Sequence, residues 1–260
     1  MTTTLAVIQA RSGSTRFPRK VLAPLQGRPV LAHVIERVSR ATLVDGVVVA
    51  TTADSRDDDV ASLALRSGAY VTRGPEDDVL SRYMLATREH GAGVIVRITA
   101  DCPLVDPAIV DLVIRARAGE SADYASNVAP PTYPDGYDVE ALTAECLFRI
   151  DREATLAYER EHVTIRVREH LDEYRTAQVR NDRDLSWMRL TVDLPEDLDR
   201  VARLLATLPA TPPPGLADVV AAYERDPALR ADPLPPRDHR YHEQRDAARR
   251  TSRPEESRPA

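Results

Sequence analysis

Two aspartates, each just after a predicted strand, are the residues best placed to do chemistry. Asp101 follows the run Val94–Ile98, and Asp193 follows the run Met188–Val192. If both strands are central and parallel, their carboxyl ends meet at one edge of the sheet, which brings the two carboxylates together. Mg²⁺ prefers one or two protein carboxylates plus substrate oxygens and waters, so this pair predicts a Mg²⁺ site beside a phosphate group. The alternative is that each aspartate caps the helix after it.

A second concentration of polar groups follows the first predicted strand, Leu5–Ile8. Residues 11–20 contain four cations, three hydroxyls, one glycine and one proline, a mixture that suits a polyanion. Lys20 is the only lysine among the 35 lysines and arginines of the chain, which indicates a site that needs a compact point charge. The alternative is a solvated basic loop that covers the end of the sheet.

Two common phosphate-binding motifs are excluded in this loop. A Walker A motif that begins at Gly13 requires glycine followed by lysine where the chain has Pro18 and Arg19. The dinucleotide fingerprint requires three glycines, and Gly13 is the only one in the loop.

Composition narrows the class of protein. The chain has 260 residues, 43% of them hydrophobic and 29% charged, as expected for one sizeable globular domain. A net charge of -6 and an aromatic content of 5% disfavour nucleic acid as a partner. Cys102 and Cys146 lack metal-ligand spacing, and no apolar run approaches the roughly 20 residues that span a bilayer. These features, with no signal-peptide pattern at the N-terminus, predict a cytoplasmic protein without membrane contact.

The elements that position these groups alternate between strands and helices. This alternation predicts an α/β fold with a mainly parallel sheet covered on both faces. Beyond Pro227 few apolar side chains remain, so we expect residues 227–260 to form a disordered tail. The other predicted strands are Gly46–Thr52, Gly68–Val71, Asp123–Asn127 and Tyr137–Glu140, and helices are predicted over Val30–Val38, Asp54–Arg66, Asp77–Glu89, Thr143–Ile150, residues 155–171, Pro195–Leu205 and Ala217–Tyr223.

The opening loop, Arg11-Ser12-Gly13-Ser14-Thr15-Arg16-Phe17-Pro18-Arg19-Lys20, resembles the signature of cytidylyltransferases that activate sugars. The resemblance is to the SpsF-like, spore-coat polysaccharide branch, which is related to the CMP-Kdo and CMP-sialate synthetases. It covers roughly residues 4–205. Its other landmarks in this chain are residues 73–83, 101–104, 126–127, 133–140, 160–164 and 193–197.

This resemblance implies a three-layer α/β/α sandwich like that of the nucleotide-diphospho-sugar transferases. It implies one nucleotidyltransferase domain over residues 1–226, with an acceptor or dimerisation insert at about 128–175. The implied reaction is transfer of CMP from CTP, with Mg²⁺, to a sugar acid, a sugar phosphate or a related small acceptor. Pyrophosphate is released, and the enzyme is expected to be a homodimer that acts in polysaccharide biosynthesis.

The resemblance also assigns residues to roles. For two of the implied acceptor-binding residues an ordinary structural role also stays open. Glu140 could be a hydrogen-bonded polar residue of an edge strand, and His162 could be a solvent-facing residue of a charged helix. Where other members often have Gly-Leu-Asp, this chain has Gly136-Tyr137-Asp138. The implied catalytic residues are Arg11, Lys20, Asp101 and Asp193; the nucleotide-binding residues are Ala10, Arg11, Gly13, Ser14, Thr15, Arg16, Lys20, Arg73, Asp78 and Arg82; the acceptor-binding residues are Asn127, Asp138, Glu140 and His162; the metal ligands are Asp101 and Asp193.

Two other functions stay open at this point. A glycosyltransferase that uses a nucleotide-sugar donor would need an Asp-x-Asp metal element after a strand, and the nearest match is Asp57-Asp58-Asp59, inside a predicted helix start. A non-catalytic nucleotide-binding protein would not need Asp101 or Asp193, so the presence of both speaks against this function.

Overall fold

The computed structural model describes residues 2–209, 212–229 and 244–246. Most of its strands join one central sheet of seven strands, while β2 and β3 form a separate two-stranded hairpin. In chain order the strands are β1 (Thr4–Gln9), β2 (Pro24–Leu25), β3 (Arg28–Pro29), β4 (Gly46–Thr52), β5 (Tyr70–Gly74), β6 (Val94–Thr99), β7 (Tyr124–Ser126), β8 (Glu140–Thr143) and β9 (Thr176–Gln178).

Helices follow most of these strands and cover the sheet. Short 3₁₀ turns at Lys20–Leu22, Ser55–Asp57 and Leu171–Glu173 accompany them. The α-helices are α1 (Val30–Val38), α2 (Asp58–Arg66), α3 (Val79–Glu89), α4 (Pro107–Gly119), α5 (Ala144–Glu153), α6 (Ala157–His162), α7 (Ile165–Glu169), α8 (Pro195–Ala206) and α9 (Leu216–Arg225).

The order of strands across the large sheet is β5-β4-β1-β6-β8-β7-β9. Every neighbouring pair is parallel except the two that involve β8, which runs antiparallel to β6 and to β7. The carboxyl ends of β4, β1 and β6 therefore meet at one edge, where Gln9, Thr52 and Thr99 end their strands. The predicted mainly parallel sheet is confirmed.

Side chains of β1 alternate between two apolar clusters, as the period of an extended strand requires. Ala6 and Ile8 belong to the cluster that includes residues of α1, α2, α4, α8 and α9. Leu5 and Val7 belong to the cluster that includes residues of α3, α5 and α7. The sheet thus separates two helical layers, which confirms the three-layer sandwich.

The sequence prediction fails at several elements. Met188–Val192 is not a strand: it is an irregular segment with an isolated bridge between Arg189 and Asp135. Its main-chain groups bond to loops, not to a strand of the sheet. The predicted helix over residues 155–171 is broken into α6 and α7 at Val163, whose φ of +59° interrupts helical geometry. Strand β9 was not predicted, and the helix after Asp101, which is α4, was considered without bounds.

Part of the predicted tail, residues 227–260, lies outside the described residues. Within the described part, Pro227–Leu229 forms a 3₁₀ turn and residues 244–246 are helical. Across the residues that the structure describes, no helix combines the length and apolar character that crossing a membrane requires.

Candidate active site

The loop after β1 is closed on itself through Ser12. The carbonyl oxygen of Ser12 accepts hydrogen bonds from the N–H groups of Ser14 and Arg19, both at 2.9 Å. Arg19 has a left-handed conformation, with φ of +58°, and turns the chain into the 3₁₀ helix that begins at Lys20. The loop therefore leaves the sheet at Gln9 and brings Lys20 back over the carboxyl edge.

Lys20 joins the two predicted aspartates. Its Nζ lies 2.7 Å from Asp101 Oδ2 and 2.7 Å from Asp193 Oδ1. Burial alone would lower the pKa of Lys20, but the two carboxylates outweigh burial and raise it above its ordinary value. For Asp101, burial acts to raise the pKa, and Lys20 holds it well below the usual range instead. Lys20 and Asp101 thus stay charged at neutral pH.

Asp193 reaches this position by a route that the sequence did not predict. The segment before it lies against the Asp101 loop, where Val192 N–H donates to the carbonyl of Asp101 at 2.9 Å. On its other side, Leu190 N–H donates to the carbonyl of Asp135 at 2.8 Å. Gly136 permits this approach: its φ is +106°, and a Cβ there would lie 2.8 Å from the carbonyl carbon of Leu190.

The helix-cap alternative is excluded for both aspartates. Asp106, not Asp101, is the N-cap of α4 and accepts from Ala108 N–H at 2.8 Å. At the start of α8 the capping carboxylate is Asp197, which accepts from the N–H groups of Asp193 and Leu194. The carboxylates of Asp101 and Asp193 are therefore not used as helix caps and remain available in the site.

Asp193 has two further cationic neighbours. Arg16 Nη2 lies 3.1 Å from its Oδ1, and Arg189 Nη2 lies 3.1 Å from its Oδ2. Arg189 is buried and also contacts Asp197 at 3.1 Å, so it ties the start of α8 to the site. Three cations, Lys20, Arg16 and Arg189, thus contact the Asp193 carboxylate.

Lys20, Asp101 and Asp193 line one pocket of about 180 Å³. Its loop side consists of Ala10, Arg11, Gly13, Ser14, Thr15, Arg16 and Lys20, and its other side includes Arg82, Asp101, Glu161 and Asp193. The structure thus brings together all the predicted catalytic residues and most of the predicted nucleotide-binding residues.

Only some residues of the segment 73–83 line the pocket. Arg82 lines it, with Nη1 donating to the carbonyls of Pro75 (2.6 Å) and Glu76 (2.9 Å). Arg73 instead binds the carbonyl of Thr52 at 2.9 Å, and Asp78 caps α3. Neither is among the described residues that line the pocket.

Two predicted acceptor-binding residues are internal. Asn127 is 1% exposed, and its amide bonds to Tyr137 O at 2.7 Å and to Val139 N–H at 2.9 Å. Glu140 is also 1% exposed and pairs with Arg97. Burial would raise the pKa of Glu140, but Arg97 holds it below the usual range. The Asn127 and Glu140 side chains are not among the described residues that line the pocket.

The other two acceptor candidates lie on different segments. Asp138 is half-buried beside β8 and is not among the described pocket residues. His162 ends α6, with its Nε2 2.7 Å from Gln244 Oε1. Its neighbour Glu161 does line the pocket. Glu161 belongs to the family landmark at residues 160–164, but the sequence analysis assigned it no role.

The three consecutive aspartates 57–59 do not form an Asp-x-Asp metal element. Asp57 is buried and accepts hydrogen bonds from Ser12 and Thr52, while Asp58 pairs with Arg73 at 2.7 Å. Asp59 pairs with Arg19 at 2.6 Å. Because the three carboxylates point to different partners, the glycosyltransferase alternative loses the motif that supported it.

Sequence reasoning missed three residues that build the site. Arg189 and Glu161 gave no signal, since each is one charged residue among many. Asp57 had a signal, because it comes soon after the end of β4, but the sequence analysis placed it in an acidic helix start and gave it no role at the loop. In the described part of the chain, no group of three or more His, Cys, Asp or Glu side chains could hold a metal ion. Asp101 and Asp193 would thus supply two ligands of a cation, with the rest from substrate and water.

Comparison with known proteins gives consistent matches. The family model described as "Cytidylyltransferase" matches residues 5–224. The spore coat polysaccharide biosynthesis protein SpsF of Bacillus subtilis (strain 168) is 31% identical over 230 residues, which cover 86% of this chain and 95% of that protein. A 3-deoxy-manno-octulosonate cytidylyltransferase of Anaeromyxobacter dehalogenans is 41% identical over 117 residues, but these cover only 44% of this chain and 46% of that protein. The solved structure of a cytidylyltransferase from Leptospira borgpetersenii superposes with a TM-score of 0.86 at 29% identity, covering 91% of this chain and all of that one.

Proposed function

The chain belongs to the cytidylyltransferase family and is a CTP-dependent nucleotidyltransferase, and we propose that it transfers CMP from CTP to a small sugar-type acceptor. The acceptor would be a sugar acid, a sugar phosphate or a related molecule, and pyrophosphate would be released. One observation carries the proposal: Lys20 lies 2.7 Å from both Asp101 and Asp193, in the pocket that the opening loop lines.

In the proposed reaction, an oxygen of the acceptor attacks the α-phosphorus of CTP. A new O–P bond forms while the bond from the α-phosphorus to the bridging oxygen breaks, and pyrophosphate leaves with that electron pair. The proton of a hydroxyl acceptor passes to solvent. No protein nucleophile takes part.

Positive charge in the pocket meets the charge that develops on pyrophosphate. Arg11, Arg16 and Lys20 are the cations on the loop side, and the N–H groups of Gly13 and Thr15 are proposed as donors from the same loop. Arg11 is held by Glu76 at 3.1 Å. On this account Arg82 is a nucleotide contact, and Arg73 and Asp78 support the wall behind it.

The residues present fit a divalent cation. Asp101 and Asp193 already hold one cation between them, the ammonium group of Lys20. We propose that these carboxylates hold Mg²⁺ when the triphosphate binds. When bound, Mg²⁺ makes the α-phosphate more electrophilic and neutralises phosphate charge.

The acceptor is proposed to enter beside residues 161–164. Glu161 lines the pocket there, and Thr164 Oγ1 donates to the buried Glu140 carboxylate at 2.7 Å. Val163, between them, is buried and has φ of +59°, a costly conformation for a β-branched residue. Asp138 and His162 remain proposed acceptor contacts, while Asn127 and Glu140 are proposed to support this wall.

Assembly as a homodimer is a further part of the proposal. This part comes from the family resemblance given above. Light scattering at several protein concentrations tests this part separately from activity.

Pyrophosphate release tests the proposed reaction. The enzyme is incubated with CTP, Mg²⁺ and a panel of ulosonic acids, sugar phosphates and small hydroxy acids. We expect release that requires one acceptor class and disappears in Asp101→Asn. Release that Asp101→Asn leaves unchanged, or transfer of a sugar from a nucleotide-sugar donor, would overturn the proposal.

A further inference from the structure

The carboxylate of Asp57 is buried directly behind the opening loop. Its side chain is 3% exposed, at the end of the 3₁₀ turn that precedes α2. Oδ1 accepts from Ser12 N–H at 2.6 Å and from Ser12 Oγ at 2.6 Å, and Oδ2 accepts from Thr52 Oγ1. Both carboxylate oxygens are thus engaged, one of them wholly by Ser12.

Ser12 anchors the opening loop through hydrogen bonds of its main chain and side chain. Its carbonyl oxygen accepts hydrogen bonds from the N–H groups of Ser14 and Arg19, and its hydroxyl oxygen also lies 3.1 Å from the carbonyl oxygen of Arg56. Ser12 itself is not among the described residues of the pocket, but Arg11 and Gly13 on either side line it. Asp57 is not among the described residues that line the pocket, and its side-chain hydrogen bonds connect it to the pocket loop through Ser12.

The charge of Asp57 acts to raise the pKa of the pocket residue Arg82, but that interaction does not require the two short bonds to Ser12. Burial acts to raise the pKa of Asp57, but the hydrogen bonds from Ser12 and Thr52 keep it below the usual range, so the group is ionised. A negative charge behind a loop of cations opposes the binding of a polyphosphate. The carboxylate instead fixes the position of Ser12, because it accepts two hydrogen bonds of 2.6 Å from that residue.

We propose that Asp57 is a positioning residue for the triphosphate: through Ser12 it holds residues 13–16 in the shape that receives the outer phosphates. This inference rests on the proposed function, since it assumes that the pocket binds a nucleoside triphosphate. It assigns a role to a residue that contacts neither nucleotide nor acceptor.

Calorimetry with CTP and CMP tests this role. Because the proposed contact is with the outer phosphates, we expect Asp57→Ala to weaken CTP binding by about tenfold or more. CMP binding should change by less than about threefold. Asp57→Asn keeps an acceptor for both Ser12 bonds and should restore most of the CTP affinity, which simple loss of stability would not explain.

Asp111 provides a matched control. It is a buried carboxylate that accepts from Thr42 N–H, Thr42 Oγ1 and Leu43 N–H, away from the pocket. Asp111→Ala should lower the unfolding temperature to a similar extent and leave the ratio of CTP to CMP affinity unchanged. If Asp57→Ala does not fold, Ser12→Ala and Thr52→Val replace it, and only the first should weaken CTP binding.

The outcomes separate the two proposals. If the wild type binds no triphosphate, the proposed function fails, and the role of Asp57 fails with it. If the wild type binds CTP but Asp57→Ala binds it equally well, or loses CTP and CMP to the same extent, the positioning role alone is overturned.

Discussion

The main-chain N–H of Val192 donates a 2.9 Å hydrogen bond to the main-chain carbonyl of Asp101. This bond fixes the distance between two loops that are far apart in sequence and that each carry one carboxylate of the site. Because the second loop belongs to no strand, its position depends on such single contacts. The site should therefore respond to changes that disturb the backbone around residues 188–192.

Gly136→Ala should disturb it without removing any functional group. A Cβ at this position would lie 2.8 Å from the Leu190 carbonyl carbon, at a φ of +106° that alanine rarely adopts. We expect a loss of about 1–3 kcal/mol in the free energy of unfolding and a fall in turnover. Gly119→Ala is the control, since nothing lies within 4 Å of the added Cβ. Equal stability of the two variants in denaturant titrations would contradict this account.

Lys20→Met should change metal binding in the direction opposite to turnover. The lysine occupies the position between Asp101 and Asp193, so its removal should raise the affinity for Mn²⁺ without nucleotide by about tenfold or more. Electron paramagnetic resonance of free Mn²⁺ measures this directly. Arg19→Met, which removes an exposed cation from the same loop, is the control. Weaker Mn²⁺ binding by Lys20→Met would show that the two carboxylates do not form the metal site.

How far the sequence predicted the molecule depends on the kind of signal. Strands β1, β4 and β6 are short apolar runs bounded by polar residues, so the sheet and its functional edge were predictable. Asp101 was predictable because it comes just after such a strand, and Lys20 because it is the only lysine of the chain and lies in the polar loop after β1. Met188–Val192 has the same pattern as a strand, but long-range bonds to Asp135 and Asp101 decide its structure, and no local pattern encodes them.

The same limit applies to Asn127 and Glu140. Their polarity suggested contact with an acceptor, but polarity alone does not distinguish a ligand contact from a buried hydrogen-bonded group. Asn127 bridges two main-chain groups, and Glu140 neutralises the buried Arg97. Only the packing of β6 beside β8, which a sequence does not reveal, brings Arg97 and Glu140 together.

Glu140→Gln should destabilise the fold in a pH-dependent way. The folded pKa of Glu140 lies below its unfolded value, so its stabilising effect is complete above about pH 4.5 and is lost as the pH falls through the folded pKa. At pH 7 the variant leaves Arg97 buried without its partner, which should cost about 3–5 kcal/mol. Urea titrations at pH 7 and pH 3.5 measure the difference. A difference in stability that does not shrink at the lower pH would contradict this role of Glu140.

Asp101→Asn should reduce turnover by about a hundredfold or more while the fold stays intact. The reason is that the amide cannot hold a cation as the carboxylate does. Asp106→Asn is the comparison, since Asp106 caps α4 and does not line the pocket. That variant should lower stability by about 1 kcal/mol or less and keep its turnover. Steady-state pyrophosphate release and circular dichroism measure the two effects, and similar turnover in both variants would remove Asp101 from the mechanism.

The most direct test of the central claim is calorimetric binding of nucleoside triphosphates in the presence of Mg²⁺. CTP, UTP, ATP, GTP and dTTP are compared on the wild type and on Lys20→Ala. We predict that CTP binds selectively and that its binding weakens in Lys20→Ala, because Lys20 is the lysine of the phosphate loop. Absence of triphosphate binding by the wild type, or CTP binding that Lys20→Ala leaves unchanged, would contradict the account.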